Sequence, residues 1–307
     1  MEKRGIVVKP EWLMIRPSLD TDFSSFKAIL QKRGLSTVCQ EAHCPNMAEC
    51  WHQAKTATFM VLGDTCTRTC RFCAIAKATQ GKPLDPDEPR KLAEAIAEMN
   101  LDYAVITSVD RDDLPDGGAD HFAACIKAIR QQRPSVRIEV LIPDFSGSEQ
   151  CLKKIVEARP DVIGHNIETV SSLQKKVRDL RAGYLQSLSV LSAVKRLGPK
   201  IFTKSSLILG LGESKEEVIE AMQDLRKAGC DILTLGQYLK PKNRSLEVEE
   251  FITPDAFAEY RRIAEELGFL FVASGPFVRS SYRAGELFMK SQKPNHDHME
   301  VGLSQET

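Results

Sequence analysis

The sequence predicts an α/β fold: a partial (β/α)6-type, TIM-like barrel with an N-terminal and a C-terminal extension. Three observations predict it. From about Phe59 onward, short apolar runs alternate with helix-periodic stretches. Most of those runs are apolar on both faces, as strands buried in a parallel sheet are. The units recur at roughly 30–35 residues, the length of a right-handed strand–helix–strand crossover. A doubly wound open sheet is the main rival.

The predicted strands, in order, are FMVLG (59–63), YAVITSV (103–109), RIEVLIP (137–143), VIGHNIE (162–168), FTKSSLIL (202–209), ILTLGQYL (232–239) and FLFVASGPF (269–277). Helices fit between them. One spans Lys215 to Ala228, with Val218, Met222 and Leu225 on one face. Ser214 and Glu217 have capping-box spacing at its start, and Gly229 suits its end. Another begins at Thr253-Pro254, a cap followed by proline at the first helical position. The alternation covers residues 56–277. Residues 1–55 hold three cysteines and few strand signals, and form an extension. Residues 278–307 are a second extension ending in a polar tail, where His296 and His298 read as solvated.

Composition narrows the function. The 307 residues carry 42 acids and 42 bases, which removes the global electrostatic case for nucleic-acid binding. Apolar runs are strand-sized, far short of the ~20 residues that span a bilayer. The N-terminus lacks signal-peptide and transit-peptide character. The expectation is a cytoplasmic protein bound to neither nucleic acid nor membrane.

Nine cysteines are many for such a chain, and six of them lie between Cys39 and Cys73. Cys125, Cys151 and Cys230 read as small core residues. The odd total and the absence of a secretory signal argue against a disulfide framework and for metal ligands. Cys66, Cys70 and Cys73, in GDTCTRTCRFC (63–73), are spaced C-x3-C-x2-C directly after the first barrel strand. That is the catalytic face of a β/α barrel. Structural zinc normally takes four protein ligands. Three thiolates on a [4Fe–4S] cube leave one iron open to bind a substrate or cofactor. Cys39, Cys44 and Cys50 are spaced C-x4-C-x5-C. On spacing alone this is also a zinc site, with His43 or His52 as fourth ligand.

The triplet, with Phe72 before its last cysteine, resembles the radical S-adenosylmethionine (SAM) signature C-x3-C-x-aromatic-C. That superfamily uses the open iron to chelate the methionine moiety and one electron to generate a 5′-deoxyadenosyl radical. The resemblance then narrows. VCQEAHCPNMAECW, FMVLGDTCTRTCRFCAI, VITSVDRDDLPDGGADHF and ASGPFVRSSYRAGE, in order over roughly residues 35–290, resemble the lipoyl synthase family. The resemblance implies sulfur insertion at C6 and C8 of a protein-bound octanoyl-lysine. It implies two [4Fe–4S] clusters and SAM. One cluster sits on Cys66, Cys70 and Cys73. The auxiliary cluster, itself the sulfur source, sits on Cys39, Cys44, Cys50 and Ser281, the second serine of RSSY. Arg279 is expected to support that serine. The carbons concerned bear no acidic proton, so no general base activates them, whereas a radical does. A serine alkoxide is a hard ligand on iron that prefers thiolate, which suits a cluster meant to come apart.

SAM contacts carry over to Gly117 and Gly118 of DGGA (116–119), to Thr107 and Asp110, to Asn166 and Glu168, and to Arg178 or Arg181. The stretch SLILGLGE (206–213) resembles the adenine-side strand. Departures from the family pattern are Ser206 in place of glycine, SLEV (245–248) in place of His-Leu-Pro-Val, and Arg283 after RSSY. The implied partners are an octanoylated lipoyl carrier domain (2-oxoacid dehydrogenase E2 or glycine cleavage H protein) and a flavodoxin- or ferredoxin-type electron donor. The basic stretch LKPKNR (239–244) is a candidate surface for steering an acidic carrier. A biotin synthase-type sulfur inserter shares triplet and barrel but lacks the N-terminal cysteines paired with RSSY. A non-catalytic zinc scaffold is the second alternative.

Overall fold

The computed structural model describes residues 9–14, 24–41, 46–47, 50–51, 55–241, 245–282 and 284–285. Cys44, His43, His52, Lys242, Arg244, Arg283, His296 and His298 lie outside these residues.

The N-terminal part contributes helix α1 (Ser24–Arg33), strand β1 (Ser36–Thr37) and helix α2 (Val38–Glu41). The barrel opens with β2 (Thr56–Val61). A small pair, β3 (Thr65–Cys66) and β4 (Ala76–Lys77), then brackets the cysteine loop. Alternation follows: α3 (Glu88–Glu98), β5 (Tyr103–Ser108), α4 (Ala119–Gln132), β6 (Arg137–Leu141), α5 (Glu149–Glu157) and β7 (Val162–Gly164). It continues through α6 (Gln174–Val177), α7 (Tyr184–Leu197), β8 (Phe202–Leu209), α8 (Lys215–Lys227), β9 (Ile232–Gln237), α9 (Pro254–Glu266) and β10 (Phe271–Gly275).

The main sheet runs β1-β2-β5-β6-β7-β8-β9-β10. Neighbours from β2 to β10 are parallel, and β1 pairs antiparallel with β2. Six strand–helix units and a final strand therefore make an open barrel, as the alternation predicted. The extension departs from its reading in one respect, because β1 adds an edge strand to the sheet.

Side chains alternate along each strand. Outward residues such as Phe59, Ile106, Val140, Leu207 and Leu233 are buried under the helices. Inward residues are mixed: Thr56, Thr58, Thr107 and Ser206 face a cavity. The strands are thus not uniformly apolar on both faces, and the polar set marks the interior that works. The barrel floor is a buried cluster in which Glu139 accepts hydrogen bonds from Lys204 Nζ and Tyr103 Oη, each at 2.7 Å. Ala284 packs beside Tyr103 there, so the C-terminal segment reaches under the barrel.

Several boundaries differ from expectation. β2 starts at Thr56 and stops at Val61, because Leu62 and Gly63 take φ of 68° and 92°. β6 ends at Leu141, before Pro143, which has no N–H for the ladder. β7 ends at Gly164, since Glu168 adopts φ 64° and turns its carboxylate inward. β9 stops at Gln237 and β10 covers only 271–275. The helix signals hold. Ser214 Oγ accepts from Glu217 N, and Glu217 Oε2 accepts from Ser214 N. Thr253 Oγ1 caps α9 by accepting from Ala256 N. Cys125, Cys151 and Cys230 are buried, as small core residues should be. Among the described residues no helix is long and apolar enough to cross a membrane.

Candidate active site

One cavity of about 610 Å³ occupies the barrel interior and its upper mouth. Cys66, Cys70 and Cys73 line it, and so do Cys39, Cys50, Ser280 and Ser281. The triplet, the described cysteines of the N-terminal group and the sequence-distant RSSY serines therefore meet in one space. The eight described cysteines are unbridged.

The cysteine loop is held by its own polar residues. Arg68 is 3% exposed and sets its guanidinium among three carboxylates, pairing with Asp110 at 3.3 Å and hydrogen-bonding the other two. Its Nη1 and Nη2 donate to Asp144 at 2.7 Å each, and its Nε and Nη2 donate to Asp112 at 2.9 and 2.8 Å. Burial opposes the guanidinium charge, but these hydrogen bonds outweigh it and raise its pKa. Thr67 N and Oγ1 donate to Asp110 O, both at 3.0 Å. Thr69 N and Oγ1 donate to Asp179 Oδ2 at 2.8 and 2.9 Å. The ends of β5, β6 and α6 thus fix a loop that follows β2.

Two sulfurs already receive backbone donors: Arg68 N lies 3.4 Å from Cys66 Sγ, and Asp179 N lies 3.3 Å from Cys70 Sγ. Such bonds favour thiolate. Burial works the other way and dominates, pushing Cys66 and Cys70 up to about 11. Only a bound cation makes thiolate the stable form here. The sulfurs of Cys66, Cys70 and Cys73 do not gather within 4.8 Å of one another. A single tetrahedral zinc at 2.3 Å from each thiolate would hold them about 3.8 Å apart. The donor set fits a larger, multi-iron centre.

Among the residues carried over as SAM contacts, Thr107, Asp110, Asn166, Glu168 and Arg178 line the cavity. Asn166 Nδ2 donates to Glu168 Oε1 at 3.1 Å. Burial raises the pKa of Glu168, and burial pushes Asp110 up to about 6. Arg181, Gly117 and Gly118 do not line the cavity. Arg181 is bound on the outer side, donating to Thr67 O at 2.6 Å and pairing with Asp179 and Asp112. Gly118, at φ 85°, lies under Leu62, where an added Cβ would sit 2.6 Å from Leu62 Cδ1. Leu62 is itself clamped: its N–H donates to Glu88 Oε2 and its carbonyl accepts from Arg111 Nη1, each at 3.0 Å. His121 Nε2 also bonds Glu88 Oε2, at 2.6 Å. Gly118 therefore lets the β2 exit and the start of α4 pack closely.

Described residues of both extensions meet at the mouth. Asn46 Nδ2 donates to Phe277 O at 2.8 Å, tying the N-terminal extension to the segment before RSSY. Arg279 Nη1 donates to Val278 O at 2.7 Å, holding the turn that presents the serines. SLEV packs on the cysteine loop, with Leu246 N donating to Arg71 O. In the basic stretch, Lys240 pairs with Glu247.

Gly236 permits this approach. A Cβ on it would lie 2.1 Å from Val278 O, a backbone atom that cannot step aside. Gly236→Ala is expected to cost about 1–3 kcal/mol by overpacking and to displace Ser280 and Ser281. A lowered denaturation midpoint with reduced iron content checks this.

His165, Ser187 and the Asp144–Arg68 pairing were not singled out from sequence. The one available signal was Arg68 itself, a charge inside a loop that must be buried. His165 Nδ1 donates to Ile142 O and its Nε2 accepts from Ser187 Oγ, each at 2.9 Å, while Ser187 Oγ accepts from Arg178 Nη1 at 2.9 Å. The chain of donors fixes a neutral imidazole. Desolvation first, then Arg178, depress His165 to about 4. Its unfolded value is near 6.5. The folded pKa is lowered, so this contribution is complete above ~6.5 and is lost as pH falls towards 4, up to about 3 kcal/mol. Denaturation at pH 7 and pH 5 should show this loss, and His165→Gln should reduce it.

Comparison with known proteins places the chain by family and fold. The Radical SAM superfamily model matches residues 60–236. A lipoyl synthase of Methanocella arvoryzae is 53% identical over 281 residues, covering 92% of this chain and 95% of that protein. One from Halobacterium salinarum is 54% identical, covering 92% and 91%. The mitochondrial lipoyl synthase of Phytophthora infestans is 49% identical, covering 94% and 76%. In fold, the chain is similar to the FeFe-hydrogenase maturase HydG from Carboxydothermus hydrogenoformans, with TM-score 0.58, 15% identity, and coverage of 86% and 68%.

Proposed function

This chain belongs to the lipoyl synthase family of the radical SAM superfamily, and from that premise we propose how its residues divide the work. The family's activity is formation of the lipoyl cofactor on an octanoylated carrier protein, with SAM and two [4Fe–4S] clusters. Cys66, Cys70 and Cys73 hold the SAM cluster. Cys39, Cys44, Cys50 and Ser281 hold the auxiliary cluster that gives up its sulfur. Together these groups supply one-electron cleavage of unactivated C–H bonds and the sulfur atoms to replace them.

The protein's own part is placement. Asn166, Glu168, Thr107 and Asp110 supply polar contacts for SAM, and Arg178 is the cation for its carboxylate. Arg181 positions the cysteine loop from outside, and Gly117 and Gly118 shape the turn beside it. Met60 and Ile208, inward on β2 and β8 among polar neighbours, give the cavity apolar surface for an alkyl chain. The observation that carries this reading is that Cys66, Cys70 and Cys73, the described Cys39 and Cys50, and Ser280 and Ser281 line one cavity. The carriers proposed are E2 or H-protein lipoyl domains, and the electron donor is of flavodoxin or ferredoxin type. The unbridged cysteines support a reducing compartment, and we propose the cytoplasm.

Anaerobic reconstitution with iron and sulfide, then SAM, reductant and an octanoylated carrier, tests the proposal. The expected result is a brown protein that yields 5′-deoxyadenosine and a carrier with two added sulfurs. A colourless, zinc-loaded protein that leaves SAM intact would overturn it.

A further inference from the structure

Four large apolar side chains stand strongly exposed among the described residues: Met14, Leu180, Leu185 and Leu270. Scattered singly, such residues need no explanation. Leu180 and Leu185 are not scattered. At 82% and 75% exposure, they occupy the turn between α6 and α7 and the first turn of α7.

This turn backs onto the cysteine loop. Asp179, next to Leu180, donates its N–H to Cys70 Sγ at 3.3 Å. Arg71 N donates to Val177 O at 2.8 Å. From exposed Leu180 to a sulfur of the triplet, the covalent and hydrogen-bonded path is therefore one residue long. The surroundings are basic. Arg71 and Lys175 are exposed, and neither has a carboxylate partner among the described residues. The nearby acids are already engaged: Asp179 by Thr69 and Arg181, Asp112 by Arg68 and Arg181.

We propose that Leu180 and Leu185, with Arg71 and Lys175, form the docking surface for the electron donor, a small acidic protein carrying a flavin or iron–sulfur centre. The proposal rests on the radical SAM reading above. The reduced donor loses one electron and the cluster on Cys66, Cys70 and Cys73 gains it, with no proton transferred. Tunnelling decays steeply with distance, so a donor gains by touching the outer wall of the cluster loop. A small apolar centre with a charged surround suits a transient encounter. The carrier domain has the opposite need, since its acyl arm must enter the cavity, and Leu180, Leu185 and Lys175 do not line it.

The test compares the reconstituted wild type with Leu180→Asp/Leu185→Asp and with Lys175→Glu. Flavodoxin hydroquinone and a reduced ferredoxin are the probes, in titrations of binding and in stopped-flow cluster reduction. Dithionite is the control reductant. Expected are a rise of about tenfold in the Kd of at least one donor, slower reduction by it, and unchanged dithionite reduction and carrier KM. A raised carrier KM with unaltered donor binding would make this a carrier surface and overturn the proposal. A dimer lost on substitution, again with unaltered donor binding, would assign the patch to a second copy. Unchanged behaviour throughout, or a wild type that neither donor reduces, also overturns it. Failure of the underlying reading is separate and shows as no SAM cleavage even with dithionite.

Discussion

A Cys39→Ala/Cys44→Ala/Cys50→Ala variant is expected to retain one cluster, to cleave SAM and to form no lipoyl product. The reason lies in how the two sites are built. The loop of Cys66, Cys70 and Cys73 is fixed by Arg68, Thr67 and Thr69 to the ends of β5, β6 and α6, and among the described residues none of these anchors comes from the N-terminal extension. Removing the extension's thiols leaves those anchors in place. Product formation is lost because the alkyl radical then has no sulfur to meet. Iron analysis, 5′-deoxyadenosine release and mass spectrometry of the carrier give the three readouts. A variant that still makes product would show that the sulfur comes from elsewhere. A variant that loses both clusters would show that the extension holds the first loop after all.

The second large effect is expected at Arg68. Asp144 is fully buried, and its two oxygens each accept from the guanidinium. Arg68→Ala leaves that carboxylate uncompensated, a loss of about 3–5 kcal/mol for one partner of a buried pair. Arg68→Lys keeps the charge but loses the fork that serves Asp144 and Asp112 together, so rescue is partial. The denaturant midpoint and the iron bound after reconstitution should fall in the order wild type, Lys, Ala. A midpoint for Arg68→Ala close to wild type would mean that water reaches Asp144.

Much of this was legible in the sequence. Strands that bury one whole face against helices announce themselves, and so do caps such as Ser214 and Thr253, because both are local. The triplet was legible because a loop of eight residues must place its thiols together. Less legible were contacts made across the fold. Nothing near Arg68 in the sequence announces Asp144, 76 residues away. Arg178 and Arg181 look alike in KKVRDLR, yet one faces the cavity and the other braces the loop from behind, because the turn at Asp179 separates them. The packing of Gly118 under Leu62 and of Gly117 beside Phe145 is likewise made across the fold, and no local pattern announces it.

The bond from Asn46 to Phe277 spans 231 positions of the chain, and it sets an order of events during synthesis. The loop of the triplet and its partners, all before Gly183, emerge from the ribosome first. The closing segment with its serines emerges about a hundred residues later. A contact of such long range forms late and slowly. A nascent polypeptide therefore carries the triplet and its anchors before the proposed auxiliary site has all its parts, and loading of that site has to wait until Ser281 has emerged.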